Sequence, residues 1–565
     1  MCGITAICHD PGCKTFDGQK AFEYSKLQSH RGPDTRNYYQ HPKNGNIICH
    51  ERLAIVDLDA TQPLPGREST HQVVHNGEIY NHMDLRYHEL KDYDLKTTCD
   101  SEVIIFLYEK YRNGHDVCSR LDGIFSFALI YDDDFLVARD PIGVKPLYYG
   151  KDKEGRHFFS SEMKVIEKEC GSYHLEAFPP GHFWTRETGF VRYYKPDWLN
   201  YKLATHKKDL SEIHDALIDA THKRLMADVP IGVLLSGGLD SSLVSAIAMR
   251  KMKEIGRPLS SFSIGLDDSA PDLKAAREVA KFLGTDHHEF HFTAEEGIKN
   301  LKSLIWHLET YDVTSIRAST PMFFLSKKIA DLGIKVVLSG EGADEIFGGY
   351  LYFHNAPSDE EFQKETIRRV TLLSTADCLR ADKSCMANAL EARVPFLDKH
   401  FLDTVMLINA ADKRPTPKNG SRPIEKYILR QAFDHDENPY LPGSILWRQK
   451  EQFSDGVGYS WIDTLMEHCA KQVSNEEFEK ASELFPHNTP HSKEAFYMRK
   501  IFHEHFPSDK AAETVLKWIP KWQDNADPSG RASNVHLKTI LKPAHAKVCA
   551  VENSIVTEQQ VPQLA

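Results

Sequence analysis

One run of residues constrains this chain more than any other: Ser236-Gly237-Gly238-Leu239-Asp240-Ser241-Ser242. It follows the apolar segment 229–235, which reads as a buried strand, and it opens into a helical pattern over 239–252. The backbone must therefore turn from strand to helix within a few residues. Glycines there let it approach a ligand closely, and the free N–H groups with the helix dipole favour an anion. The serine hydroxyls add donors for phosphate oxygens. A tight turn with Asp240 as a helix-terminal charge is the plainer reading, but the full run is more specific than a glycine pair. No Gly-Lys-Ser/Thr occurs and no G-x-G-x-x-G follows a strand, so neither a Walker loop nor a dinucleotide fingerprint is present.

The surrounding rhythm predicts the fold of this half. Ile213, Leu217, Ala220 and Leu225 fall at helical spacing. A strand over 262–266 and a helix over 272–283 stopped by Gly284 follow, then helices over 295–310 and 321–332, the latter closed by Gly333, and a strand over 334–338. Alternating strands and helices imply a doubly wound parallel sheet, with a mostly helical part beyond about residue 357. A second cluster, Ser339-Gly340-Glu341-Gly342-Ala343-Asp344-Glu345, ends the later strand. In such sheets ligands gather beyond the carboxyl ends of the strands, so both clusters and the turn after 262–265 open onto one rim. Asp240 and Asp344 together can hold Mg²⁺, which takes one or two carboxylates plus phosphate oxygens.

The first 194 residues read differently, as short strands joined by turns. Examples are 47–49, 72–75, 125–131 and 157–160, with a helix over 101–111, which together make a mixed α+β domain. The expected boundaries are 2–200, a polar linker over 201–208, a second domain over 209–526, and a partly disordered tail over 527–565. Composition narrows the partners. With 69 basic against 81 acidic residues and a net charge of -12, the chain lacks the basic field that nucleic acid needs. No apolar run approaches the roughly 18 residues of a membrane span. The 11 cysteines show no CxxC pair, which speaks for reduced thiols in a cytoplasmic protein.

One cysteine stands apart. Cys2 becomes N-terminal if Met1 is removed, and its α-amino group is then a base held beside the thiol. Asn76 and the Gly77 N–H suit an oxyanion hole, and Arg52 suits a bidentate carboxylate clamp. Glu78 and Asp100 can receive an ammonium group. A thiol, an oxyanion hole and sites for both charges of an amino acid describe glutamine hydrolysis.

With these residues in place, the chain resembles the glutamine-hydrolysing asparagine synthetases from Met1 to about His536. The most specific blocks are His307–Val313, Ile316–Pro321 and Trp447–Tyr459. The resemblance implies a class II glutamine amidotransferase domain of the N-terminal-nucleophile hydrolase fold. It implies next a synthetase domain of the N-type ATP pyrophosphatase group, whose pyrophosphate loop is 236–242. Cys2 would attack the glutamine amide and release ammonia. Aspartate would attack the α-phosphate of MgATP to give β-aspartyl-AMP and pyrophosphate, and ammonia arriving through a tunnel would displace AMP. By the same resemblance, backbone at Leu234 and Ile264 would hold adenine, and Ser236 to Ser242 with Ser339, Gly340 and Glu341 would hold ATP. Glu341 would assist at the acyl centre, Lys450 would neutralise phosphate charge, and Arg393 would lie near the aspartate site. The segment Met386-Ala387-Asn388-Ala389 departs from several family members beside that expected site. Homodimer formation is a family-level expectation. The alternative reading is a related ligase that adenylates a different carboxylate.

Overall fold

The computed structural model describes residues 2–415, 424–450, 456–458 and 460–523. The tail expected over 527–565 lies outside the described residues. The N-terminal part is built from strands β1 (Gly3–Cys8), β2 (Thr35–Gln40), β3 (Ile47–Arg52), β4 (Leu64–Pro65), β5 (Gln72–Ile79), β6 (Gly123–Tyr131), β7 (Asp134–Arg139), β8 (Tyr148–Lys151), β9 (His157–Ser160), β10 (His174–Ala177), β11 (His182–Thr185) and β12 (Gly189–Arg192). They form two six-stranded antiparallel sheets, ordered β10-β8-β9-β1-β3-β2 and β12-β11-β7-β6-β5-β4. Alternation along the strands explains how the sheets meet. Ile4, Ala6 and Cys8 of β1 turn one way, onto Val74, Ala128, Ile130 and Val137 of the other sheet. Ile7 turns the other way, with Phe16 and Ala21. The result is the α+β sandwich expected of the first half.

The C-terminal part holds β13 (Ile231–Leu234), β14 (Ser260–Gly265), β15 (Asp286–His291), β16 (Val336–Leu338) and β17 (Glu391–Arg393). Their order is β15-β14-β13-β16-β17, and every pairing is parallel. The order reverses between β13 and β16, which is where a doubly wound sheet opens a crevice for ligands. The helices that matter for the site are α1 (Leu210–Lys223), α2 (Leu239–Glu254), α3 (Pro271–Leu283), α4 (Val313–Asp331), α5 (Ala343–Phe347), α6 (Asp377–Met386) and α7 (Tyr427–Ala432). Gly284 caps α3 in the left-handed conformation, as its position after the apolar pattern predicts.

Two features depart from the sequence reading. Helix α4 begins at Val313 rather than Pro321, and the proline sits inside it. A proline removes one hydrogen bond from a helix interior and orphans the carbonyl four residues back. That carbonyl belongs to Arg317, and the buried Trp461 indole donates to it at 3.0 Å, so the helix continues. The strands β15 and β17 are also absent from the pattern-based reading. β15 carries His and Glu on an edge, and β17 is only three residues long, so neither shows a strand's apolar run.

Candidate functional site

Beyond the carboxyl ends of β13, β14 and β16 lies a cavity of about 1010 Å³, open on one side. Its apolar wall includes Leu234, Phe262, Ile264, Met322 and Leu325, and its polar wall includes Ser236, Asp240, Ser241, Ser339, Glu341 and Lys450. A flat base can lie against the first and a phosphate chain along the second. The loop before α2 is shaped by its glycines. Gly237 has φ +70, and a Cβ there would come within 2.4 Å of Ala275 in α3. Gly340 brings the second loop so close that a Cβ would meet the Ser241 N at 2.7 Å. Ser241 Oγ lies 3.0 Å from Ser236 Oγ, which holds the turn.

Not every member of the loop faces the cavity. Leu239 is buried as the first residue of α2, and Gly238 caps that helix. Gly238 and Leu239 instead line a neighbouring cleft of about 500 Å³ that shares Asp240, Ser241 and Lys450 with the cavity and adds Lys426 and Arg448. Ser242 is fully buried, and its hydroxyl has no hydrogen-bond partner.

Asp240 and Asp344 do meet. Lys426 Nζ lies 2.5 Å from Asp240 Oδ2 and 2.7 Å from Asp344 Oδ1, and Lys450 Nζ lies 3.0 Å from Asp344 Oδ2. Burial pushes the Asp240 carboxyl up and the lysines only partly offset this. At Asp344 burial acts in the same sense, but Lys426 and Lys450 outweigh it and hold the carboxyl below its ordinary range. Asp240 Oδ1 is buried without a hydrogen bond, whereas Asp344 Oδ1 faces the Lys426 ammonium. Two buried carboxylates facing one ammonium beside a glycine-rich strand-to-helix turn are of the type that suits Mg²⁺ held partly by phosphate oxygens. Glu341 accepts from Arg380 at 3.0 Å, and Arg380 also donates to Asp377 at 2.8 Å. Burial raises the Glu341 carboxyl against the pull of Arg380.

The second site lies between the sheets of the N-terminal part. Cys2 precedes β1 and is buried, with Sγ 3.9 Å from the Leu53 carbonyl. Burial raises its thiol, so a base must take the proton before it can attack. The Cys2 N–H donates to Asn76 Oδ1 at 3.0 Å. Asn76 Nδ2 makes only long contacts, 3.5 and 3.4 Å, to the hydroxyls of Ser126 and Ser161. Gly77 pairs with Phe125, whose carbonyl is turned to β7 to accept from Asp140 at 2.8 Å. By the alternation of an antiparallel ladder the Gly77 N–H then points away from β6. Arg52 turns its fork onto the carbonyls of Asp57 and Leu58.

Glu78 and Asp100 are buried on the same flank. Asp100 Oδ2 accepts from the Ile79 N–H at 2.8 Å, while Glu78 Oε2 has no hydrogen bond. Burial, with Glu391 nearby, holds the Glu78 carboxyl well above its usual range and brings Asp100 up to about 6. Burial outweighs the Arg393 guanidinium here, and the unbonded Glu78 Oε2 is of the type suited to an incoming ammonium. The pH dependence follows. Asp100 is ionised above about pH 6 and protonated below, so if it receives a substrate ammonium, kcat/KM for that substrate falls on an acid limb near pH 6. Asp100→Asn lowers kcat/KM and removes that limb; a limb that stays in place takes the role from Asp100.

The structure places Arg393 away from this cavity. Its side chain is fully buried at the carboxyl end of β17, paired with Glu391 and lying 3.2 Å from Glu78. It also donates to the carbonyls of Arg224 at 2.8 Å and Met226 at 2.5 Å. It therefore braces Glu78 and Glu391 and does not line the cavity. The segment 386–389 is also outside the cavity lining, and Asn388 instead holds Phe323 and Ser326 of α4. Tyr350, which closes the second cluster, also lines the cavity; residues that line it and that strand-and-glycine reasoning passes over are Thr314, Asp377, Arg380 and Trp518.

Helix α6 joins the two sites. Asp377 and Arg380 reach the cavity beyond the parallel sheet, and Asp382 accepts from Arg31 at 2.8 Å. The same guanidinium donates Nε to the Cys2 carbonyl at 3.0 Å. Glu309 adds a second tie by accepting from the Met163 and Lys164 N–H groups at 2.8 and 2.7 Å.

Known proteins resemble both halves of the chain. The asparagine synthase family model matches residues 212–360 and 354–526, and the glutamine amidotransferase domain model matches residues 1–178. Glutamine-hydrolysing asparagine synthetase 1 of Arabidopsis thaliana is 50% identical over 565 residues, covering 95% of this chain and 94% of the relative. The glutamine-hydrolysing asparagine synthetase of Asparagus officinalis is 47% identical over 591 residues, covering 100% of this chain and 98% of the relative. Among solved structures, the glutamine phosphoribosylpyrophosphate amidotransferase of B. subtilis matches with a TM-score of 0.31 at 14% identity, covering 51% of this chain and 90% of that one. That likeness is too distant to add to the fold. The two family models and the full-length relatives place the chain in one family: it belongs to the glutamine-hydrolysing asparagine synthetases.

Proposed function

We propose that the chain makes asparagine from aspartate and ATP, using ammonia released from glutamine at a second site. Residues 2–200 form the glutaminase unit and 209–526 the synthetase unit. In the first, the α-amino group of Cys2 takes the thiol proton and the thiolate attacks the amide of glutamine. Asn76 Nδ2 and the Gly77 N–H donate to the developing oxyanion. Arg52 receives the carboxylate of glutamine, while Glu78 and Asp100 receive its ammonium. The protonated α-amino group returns its proton to the departing nitrogen, ammonia leaves, and water cleaves the thioester to glutamate and the free thiol.

In the second unit, the β-carboxylate of aspartate attacks the α-phosphorus of ATP, forming the P–O bond of β-aspartyl-AMP and expelling pyrophosphate. Leu234 and Ile264 bracket the base, and Ser236, Ser241, Ser339 and the loop backbone at Gly238 and Gly340 hold phosphate oxygens. Asp240 and Asp344 would hold Mg²⁺, which when bound draws charge off the leaving phosphates. Lys450 adds a second cation on the same side. Ammonia then adds to the acyl carbon, AMP departs with its electron pair, and Glu341 takes the proton released. Ammonia that reached water would be protonated and lose its lone pair, so the two units must pass it internally.

What supports this reading above all is the joining of both pockets through one helix: α6 touches Glu341 through Arg380 and the Cys2 backbone through Asp382 and Arg31. Cytosolic location and homodimer formation are part of the proposal. No helix among the described residues is long and apolar enough to cross a membrane. Product analysis tests the chemistry. With glutamine, aspartate and MgATP, chromatography shows asparagine, glutamate, AMP and pyrophosphate in equal amounts. ADP and phosphate in their place would end the adenylation reading, and another amidated carboxylate would favour the related ligase.

A further inference from the structure

The ammonium of Lys426 occupies an unusual place. It is 1% exposed on its side chain, and its two ion-pair partners are the carboxylates assigned above to the metal. Distances of 2.5 and 2.7 Å put the nitrogen between Asp240 and Asp344. Mg²⁺ binds carboxylate oxygen at about 2.0–2.1 Å in a strict octahedron, so ion and ammonium cannot share that gap.

The surroundings are built for the lysine. Lys426 itself has φ 58, a left-handed conformation uncommon for a side-chain-bearing residue, directly before α7. Gly349 supplies the space: a Cβ there would meet Lys426 Cε at 2.0 Å and Asp344 Oδ1 at 2.2 Å. The ammonium also has somewhere to go. Lys426 borders the cleft of about 500 Å³ that Gly238, Ser241, Arg448 and Lys450 line beside the phosphate loop.

We infer that Lys426 is the resident counter-cation of the metal site. Its ammonium joins Asp240 and Asp344 while no nucleotide is bound and keeps free divalent cations out. It moves onto the terminal phosphates when the metal enters with ATP. The physical reason is charge balance. Two buried carboxylates face each other, and without a cation one of them would have to take up a proton. A bare divalent ion would have to displace the ammonium into a cleft already rich in positive charge. The triphosphate supplies the negative charge that gives the ammonium a new partner, so metal and nucleotide enter together. This inference rests on the metal reading of Asp240 and Asp344 given above.

The test is Mn²⁺ binding to the full chain, followed by the electron paramagnetic resonance signal of free Mn²⁺. Without nucleotide, Lys426→Met binds Mn²⁺ at least tenfold more tightly than the wild type. Lys426→Arg keeps the charge and stays within about threefold of the wild type. Equal affinity of Lys426→Met and wild type overturns the inference, as does a nucleotide-free wild type that binds Mn²⁺ as tightly as in the presence of ATP. Should Lys426→Met lose its near-ultraviolet circular dichroism, Lys426→Gln carries the same comparison, and the wild-type measurement stands by itself. Asp344→Asn separates the two readings. If it binds Mn²⁺ with ATP as tightly as the wild type, Asp344 is no ligand and the metal reading fails, whatever Lys426 does.

Discussion

Cys2→Ala loses glutamine-dependent asparagine synthesis by about 10⁴-fold or more, the scale on which removal of a nucleophile acts. It keeps synthesis from added ammonium chloride at alkaline pH within about a factor of two. The first half of this expectation follows from chemistry. The attacking atom is the Cys2 sulfur, held beside Asn76, and alanine puts no nucleophile in its place. The second half follows from placement. Cys2 is absent from the lining of the ATP cavity, and what it gives Arg31 is its backbone carbonyl, which alanine retains. The bridge from Arg31 to Asp382, and with it the seat of α6, therefore survives the change. Asparagine measured with each nitrogen source, and glutamate released from glutamine alone, decide the point. Loss of both activities in a variant with native circular dichroism would mean that the sulfur supports the synthetase site as well, and the division into two chemistries would fall.

The parts of the molecule legible in the sequence share one property: their signal is local. The loop 236–242 announces itself because strand, glycines and helix follow each other within a few residues, and the structure puts Ser236, Asp240 and Ser241 on the cavity wall. The same holds for Asn76, Gly77 and Glu78, which are consecutive on β5 beside the Cys2 backbone. Lys426 carries no such signal. It lies 186 residues from Asp240 in the chain, and only the folded sheet brings them together. Helix α4 is illegible at its start for a related reason, since the indole that satisfies the Arg317 carbonyl comes from 144 residues away. Asp377 and Arg380 sit on a helix whose residues are almost all buried, so periodicity cannot tell a face turned to ATP from one turned to the other sheet. Gly32 is the converse case. Its need for glycine looks like a loop preference, but a Cβ there would lie 2.2 Å from the Glu51 carbonyl, so it marks a close crossing of backbone beside Arg31.

Arg393 separates a family-level expectation from a structural one, and its replacement has the largest effect on stability. Arg393→Met removes the guanidinium that faces Glu391 and Glu78 in a fully buried setting. Breaking a buried pair by deleting one partner costs about 3–5 kcal/mol, because the remaining charge is left without compensation. Here two carboxylates are left, and Asp100 stands close enough to add to the strain. The carbonyls of Arg224 and Met226 lose their donors too. The unfolding midpoint in urea falls accordingly, and because two large units unfold, both phases are followed rather than a single transition. Glu78 now titrates higher still, since burial and Glu391 already raise it and Arg393 is what opposes them. Glutamine binding weakens, with KM for glutamine rising at least tenfold at neutral pH and recovering in part as pH is raised. KM for aspartate in the ammonia-dependent reaction changes by less than about twofold, since the side chain does not reach the ATP cavity. A tenfold rise in KM for aspartate with unchanged stability would return Arg393 to the aspartate site and remove it from the flank of Glu78.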